Sequence, residues 1–165
     1  MSYFLAEESL HKGDISTITG EEAQHILQSR RMQVGDTFHL QGPDEKRFHV
    51  HIIELGKSKL EVEVAHSVPV PRESPLAITL CQALTKEKAL DTVIQKATEL
   101  GVHQLYIFNT ERTPERLPNA LEGRLERWQK IAIEAAKQSD RVRGVSIVWH
   151  SDFQEVLRAT KTIPF

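Results

Sequence analysis

The sequence predicts a two-domain α+β chain: an antiparallel β-barrel with one helix over residues 1–70, then the first part of a parallel-sheet α/β domain over residues 71–165. Three observations predict it. Apolar and polar residues alternate with period 2 through residues 37–64, the pattern of strands with one buried and one wet face. Three prolines in the seven residues 69–75 break that rhythm and mark a linker. Beyond them, continuous apolar runs alternate with segments of helical period, as strands and crossover helices do in a parallel sheet.

In the first domain, "TITGEEAQHILQSRR" reads as a helix. Thr19 and Glu22 have the spacing of a capping box, and Ala23, Ile26 and Leu27 form its apolar stripe. "TFHLQ", "RFHVHII" and "KLEVEV" are strands separated by the turns "GPDEKR" and "GKSK". Phe48, Val50 and Ile52, then Leu60, Val62 and Val64, mark their inward faces. A small barrel is the closure that covers such a meander.

In the second domain, "LAITLCQA" is apolar throughout, as expected of a strand buried on both faces, with Cys81 as a small buried filler. "KEKALDTVIQKATEL" places Ala89, Leu90, Val93, Ile94, Ala97 and Leu100 on one helix face, and Gly101 ends it. "HQLYIFN" is the next strand. The loop "TERTPERLP" leads to Asn119, whose spacing to Glu122 predicts a cap for a long helix. That helix contains "RWQKIAIEAAKQSDR", with Trp128, Ile131, Ala132 and Ala135 toward a core. "VSIVW" is a third strand, Ser151 caps a helix running to about Lys161, and "TIPF" reads as the start of a fourth strand.

The net charge of −2 provides no general attraction to nucleic acid or membrane, so an anionic partner must meet a local patch. One cysteine excludes an internal disulfide. With no signal-peptide pattern and no apolar run of spanning length, a cytoplasmic protein is expected.

No glycine-rich dinucleotide or phosphate loop is present. His39, His49 and His51 crowd adjacent strands, yet no cysteine or carboxylate completes a converging ligand set, so no metal is expected and a wet strand face is the reading. Arg30 and Arg31 end the first helix, and Lys46 and Arg47 sit in the hairpin. They form either a phosphate-contacting patch or ordinary charged turns; acidic residues outnumber basic ones in this half, so charge alone leaves both open. Glu111 and Arg112 follow a strand at its C-terminal end, where open α/β sheets place ligands. Glu134, Gln138 and Arg141 recur at i, i+4 and i+7 on the long helix. They either line the same crevice or form an exposed ion-pair network.

The blocks "HILQSRRMQVGD", "ESPLAITLCQALTKEKALDTVIQKATELGV", "TER" and "RWQKIAIEAAKQSDR" stand in an order that resembles the ribosomal RNA methyltransferases of the RsmE family, within the knotted SPOUT superfamily. The resemblance covers nearly the whole chain. It implies a PUA-like RNA-binding barrel over residues 1–70 and a SPOUT-type α/β methyltransferase domain over 71–165 that dimerises. It also implies S-adenosylmethionine as methyl donor, N3 of a uridine in 16S ribosomal RNA as acceptor, and the rRNA or small ribosomal subunit as partner, with no membrane involved. Arg112 and Arg141 then become candidates for stabilising a uridine anion. Glu111, Glu134 and Gln138 become the crevice wall, and Arg30, Arg31, Lys46 and Arg47 the RNA contacts.

Two departures are local: "QSRRM" replaces an aliphatic pair before Arg31 and Met32, and "RGVSI" lacks a proline before the third strand. A third is larger. The family continues into a glycine-rich "GPEGG"-like loop and a late "LG…ILR.ETA"-like segment that tie the knot and hold the cofactor, and neither occurs in these 165 residues. The expectation is therefore a truncated member, with cofactor-binding residues unassigned. Alone it should be inactive and bind S-adenosylmethionine poorly. The alternative is a non-catalytic RNA-binding module.

Overall fold

The computed structural model describes residues 3–113 and 121–161. The chain divides into two compact units, Met1–Pro71 and Arg72–Phe165.

In the first unit, strands β1 (Phe4–Leu5), β2 (Ile15–Ile18), β3 (Thr37–Gln41), β4 (Arg47–Leu55) and β5 (Leu60–Val68) form one sheet in the order β1-β3-β4-β5-β2. β3, β4 and β5 are the antiparallel meander that the alternation predicts. β2 adds antiparallel to β5, and β1 adds parallel to β3 with Phe4 opposite Leu40. The β4–β5 ladder shifts register at His49/Val50 and at Ile52/Glu54. Such bulges increase local twist, and they curl the sheet into a half-barrel. The described ladders leave β1 and β2 as outer strands, so the predicted antiparallel barrel takes the form of a curled half-barrel.

Its concave face buries Phe38, Leu40, Phe48, Val50, Ile52, Leu60, Val62 and Val64. Each fully buried side chain of this size contributes about 1.5–3 kcal/mol. Ala23 and Ile26 complete this core from α1 (Gly20–Gln24) and the π-helical turn His25–Ser29 that continues it. Thr19 occupies the N-cap position, but its hydroxyl donates to Glu7 rather than capping the helix, so the expected capping box does not form.

In the second unit, β6 (Thr79–Ala83), β7 (Gln104–Phe108) and β8 (Ser146–His150) make a parallel sheet in that order, with Thr79, Gln104 and Ser146 in register. The crossovers carry α2 (Glu87–Glu99) and α3 (Leu121–Gln138), and α4 (Phe153–Thr160) follows β8. Strand alternation sorts the side chains between two faces. Leu105, Ile107, Ile147 and Trp149 cluster with Leu90 and Ile94 of α2 and with Trp128 and Ala132 of α3. Tyr106, Phe108 and Val148 cluster with Val156 and Ala159 of α4.

Two glycines are dictated by this packing. Gly101, at φ +84°, ends α2 in a Schellman arrangement, its N–H donating to Thr98 O and that of Val102 to Ala97 O. At Gly144, a Cβ would stand 2.8 Å from the carbonyl carbon of Ala132. The obstruction is helix backbone and cannot rotate away. Gly144→Ala is expected to lower stability by about 1–3 kcal/mol, the usual scale of overpacking, measured by urea unfolding.

Several local expectations change. Cys81 is exposed and β6 is only half-buried, because β6 is an outer strand of the described sheet. The cap of α4 is Asp152, not Ser151. Its carboxylate accepts from the Glu155 N–H at 3.0 Å, while the Glu155 carboxylate accepts from the Ser151 N–H at 2.8 Å. That Glu155 N–H is the main reason the Asp152 carboxyl is held below its usual value. The Asn119 cap, most of the "TERTPERLP" loop and the "TIPF" strand lie outside the described residues. Among the described residues, no helix is long and apolar enough to cross a membrane.

Candidate active site

Parallel strands give the second unit two unlike ends, and ligands of open α/β sheets gather at the C-terminal one. There β7 leads from Phe108 into a turn in which the Thr110 N–H donates to Thr113 Oγ1 at 2.8 Å and the Thr113 N–H to Thr110 O at 3.1 Å. This turn presents Glu111 and Arg112 at its exposed tip.

Two further residues at this end were not among the expected site residues. His150 ends β8 with its side chain 14% exposed. Tyr106 packs edge-on against its ring at 4.7 Å, and the Glu155 carboxylate lies 3.9 Å from Nδ1. Among the described residues its buried Nε2 has no hydrogen-bond partner, and neither has the buried Oδ1 of Asn109, the residue that follows β7. A buried polar atom left unpaired costs about 1–3 kcal/mol, so these two groups mark positions that a ligand can satisfy. Position was the only sequence signal for them: each stands where a strand ends.

Arg141 stands at the opposite end. α3 stops at Gln138, and Asp140 adopts φ +58°, so Arg141 leaves the stripe that Glu134 and Gln138 begin. Its guanidinium pairs with the Glu73 carboxylate, which also accepts from the Val142 N–H at 3.0 Å. Glu73, Arg141, Arg143, His103, Gly101 and Gly144 line a cavity of about 220 Å³. All of them precede a strand, so this cavity lies at the N-terminal end of the sheet. The structure thus separates Arg112 from Arg141 by the length of the strands, about 16 Å for five residues.

Glu134 and Gln138 share a shallow groove with Gln95 and Arg127. A crossover helix runs antiparallel to its strands, so these last turns of α3 also approach the N-terminal end. Glu134 pairs with the buried Lys137 at 3.1 Å, and Arg127 forms a two-pronged contact with Asp91. The Asp91 carboxylate is the main cause of the raised pKa of Arg127. This flank is the exposed ion-pair network.

In the first unit, Arg30, Arg31 and Lys46 are exposed. Lys46 lies 3.0 Å from Asp44 and is the main reason that carboxyl is depressed. Arg47 is different. It is 3% exposed, donates to Gln41 Oε1 at 3.3 and 3.1 Å, and stacks 3.9 Å over the Tyr3 ring. Its charge is committed to the fold. In chain order Arg30 and Arg31 precede β3, whereas Lys46 follows it.

A family model for an RNA methyltransferase domain matches residues 72–163, and one for an RNA methyltransferase PUA domain matches residues 18–65. Ribosomal RNA small subunit methyltransferase E of Bacillus subtilis (strain 168) is 31% identical over 155 residues, covering 93% of this chain and 60% of that protein. The protein of the same name from Synechocystis is 31% identical over 125 residues, 76% of this chain and 40% of that one. The chain spans between 50% and 60% of the length of the first three such relatives. Among solved structures, Ribosomal RNA small subunit methyltransferase E from Neisseria gonorrhoeae, bound to S-adenosyl methionine, superposes with a TM-score of 0.88 at 29% identity. That match covers 99% of this chain and 66% of that one. A putative methyltransferase from Legionella pneumophila in complex with the cofactor gives 0.87 at 27% identity, over 94% of this chain and 65% of that one. With both of its units matched in order, the chain belongs to the RNA methyltransferase family.

Proposed function

We propose that the protein carrying this chain methylates N3 of a uridine in 16S ribosomal RNA, with S-adenosylmethionine as donor. One observation carries the reading: the curled sheet matches an RNA methyltransferase PUA domain, and the parallel sheet behind the linker matches an RNA methyltransferase domain. The names of the relatives supply the small-subunit RNA as substrate.

The residues at the C-terminal end of the parallel sheet fit an adenosine-bearing cofactor. Asn109 Oδ1 is a buried acceptor and His150 Nε2 a buried ring nitrogen that donates or accepts according to its tautomer; a nucleoside offers amino and hydroxyl groups that match either. Asn109 and His150 would hold it; its chemistry is an electrophilic methyl group on sulfur. The chain's own task is at the base. Uridine N3 gives up its proton to a base, its lone pair forms the new N–CH3 bond, and the S–CH3 bond breaks. Before transfer the uracil ring carries negative charge. Arg112, exposed on its turn at this end, is the guanidinium positioned to offset it.

Labelled methyl transfer to small subunits, read as 3-methyluridine after digestion, tests this. Arg112→Ala is expected to slow transfer by roughly 10²- to 10³-fold with RNA affinity intact, the usual scale for removing one transition-state donor. An unchanged rate would return Arg112 to the exposed surface. We also propose that the protein works in the cytoplasm, with its substrate, as a homodimer. Phe153 and Leu157, one turn apart on α4 and both exposed, are the apolar side chains that support self-association.

A further inference from the structure

Four of the eight histidines meet on the convex face of the curled sheet. His39, His49 and His66 stand opposite one another on β3, β4 and β5. Ring centroids are 5.6 Å apart for His39 and His49, and 5.2 Å for the stacked pair His49 and His66. His51, two residues along β4, brings its ring to 5.5 Å from His49. His66 is exposed and the other three are half-buried. Imidazoles on a wet strand face have no packing role that a threonine or valine would not serve at least as well. Among the described residues no group of three or more His, Cys, Asp or Glu side chains could hold a metal ion.

We propose that this imidazole face is a proton-linked contact for RNA phosphodiesters. The proposal rests on the reading that the first unit binds RNA. Neutral imidazole has one donor, whereas imidazolium has two and a charge, so protonation turns a polar platform into an anion site. His49 is held below the usual histidine range by partial burial first, and then by His66, His39 and His51 around it.

Other charged or titratable groups on this face are few. Arg47 and Tyr3 stack at one end, Glu63 stands opposite His51, and Glu54 and Glu61 pair farther along, with Lys59 3.7 Å from Glu61. β2 (Ile15–Ile18) contributes no titratable side chain. A phosphate row over the histidines would supply the missing countercharge. RNA binding would therefore take up protons, and affinity would rise as pH falls.

The test is titration of the chain with a single-stranded RNA oligonucleotide from pH 8 to pH 6 at constant ionic strength. It is paired with calorimetry in two buffers of different ionisation enthalpy. Affinity is expected to rise roughly 10- to 100-fold over that range, corresponding to an average of about half to one proton taken up per site. Calorimetry should show that uptake directly. The double variant His39→Gln, His66→Gln should lose most of the rise relative to its own affinity at pH 8, with its thermal transition confirming the fold. A pH-independent affinity with no proton uptake would overturn the proposal, as would a rise that survives in the variant. Binding at pH 8 depends on Arg30, Arg31 and Lys46, so its absence would count against the RNA-binding reading itself and is distinguishable from failure of the histidine contact.

Discussion

Trp128→Ala is expected to destabilise the second unit by about 3–5 kcal/mol. Trp128 is 1% exposed and is the largest fully buried side chain in the described chain. It joins α3 to a cluster containing Leu90 and Ile94 of α2 and Leu105 and Ile107 of β7. Its removal forfeits the transfer free energy of the indole and leaves a void that fixed strand and helix backbones cannot fill. Against a typical domain stability of about 5–15 kcal/mol, that loss takes a large share. The other tryptophan, Trp149, packs against the same cluster and remains as a fluorescent reporter. Its urea midpoint should fall strongly in Trp128→Ala and less in Trp128→Phe. A change below about 1 kcal/mol would mean that α3 is not anchored through this residue.

Replacing Arg30, Arg31 and Lys46 together by alanine should weaken RNA binding roughly 100- to 500-fold at 0.1 M salt. Each phosphate neutralised releases about 0.7–0.9 of a counterion, worth a factor of roughly 5–8 at that concentration. The slope of log affinity against log salt should flatten by about 2–3 units. Arg47→Ala is the contrasting variant. Its guanidinium is held by Gln41 and Tyr3, so its loss should lower the thermal transition and leave the salt slope alone. If Arg47→Ala flattened the slope while the triple variant did not, the RNA contacts would be on the wrong residues.

The meander of β3, β4 and β5 was legible because nine-residue strands give several periods of alternation, and each alternation assigns a face. β1 and β2 were not. Two and four residues carry too little pattern, and β1 owes its existence to Leu40, far along the chain from Phe4. The same long range hid the burial of Arg47, whose stacking partner Tyr3 comes from the other end of the unit. Arg141 was drawn into the stripe of Glu134 and Gln138 because periodicity in the letters continues past Gln138. The chain leaves the helix at Asp140, one of the few residue types that tolerate the left-handed region. Arg112 could be placed at the C-terminal end of the sheet from its position after a strand alone. Asn109 and His150 needed coordinates: whether a polar atom is buried and unpaired depends on neighbours that no local pattern specifies.

The most direct measurement of the central claim is the methylation state of 16S ribosomal RNA in cells deleted for the gene that encodes this chain. Digestion to nucleosides and mass spectrometry should show a 3-methyluridine in the parent that disappears in the deletion. It should return when the gene is restored, and fail to return with Arg112→Ala. Persistence of 3-methyluridine at the parental level, or loss of a different modified nucleoside in its place, would contradict the account.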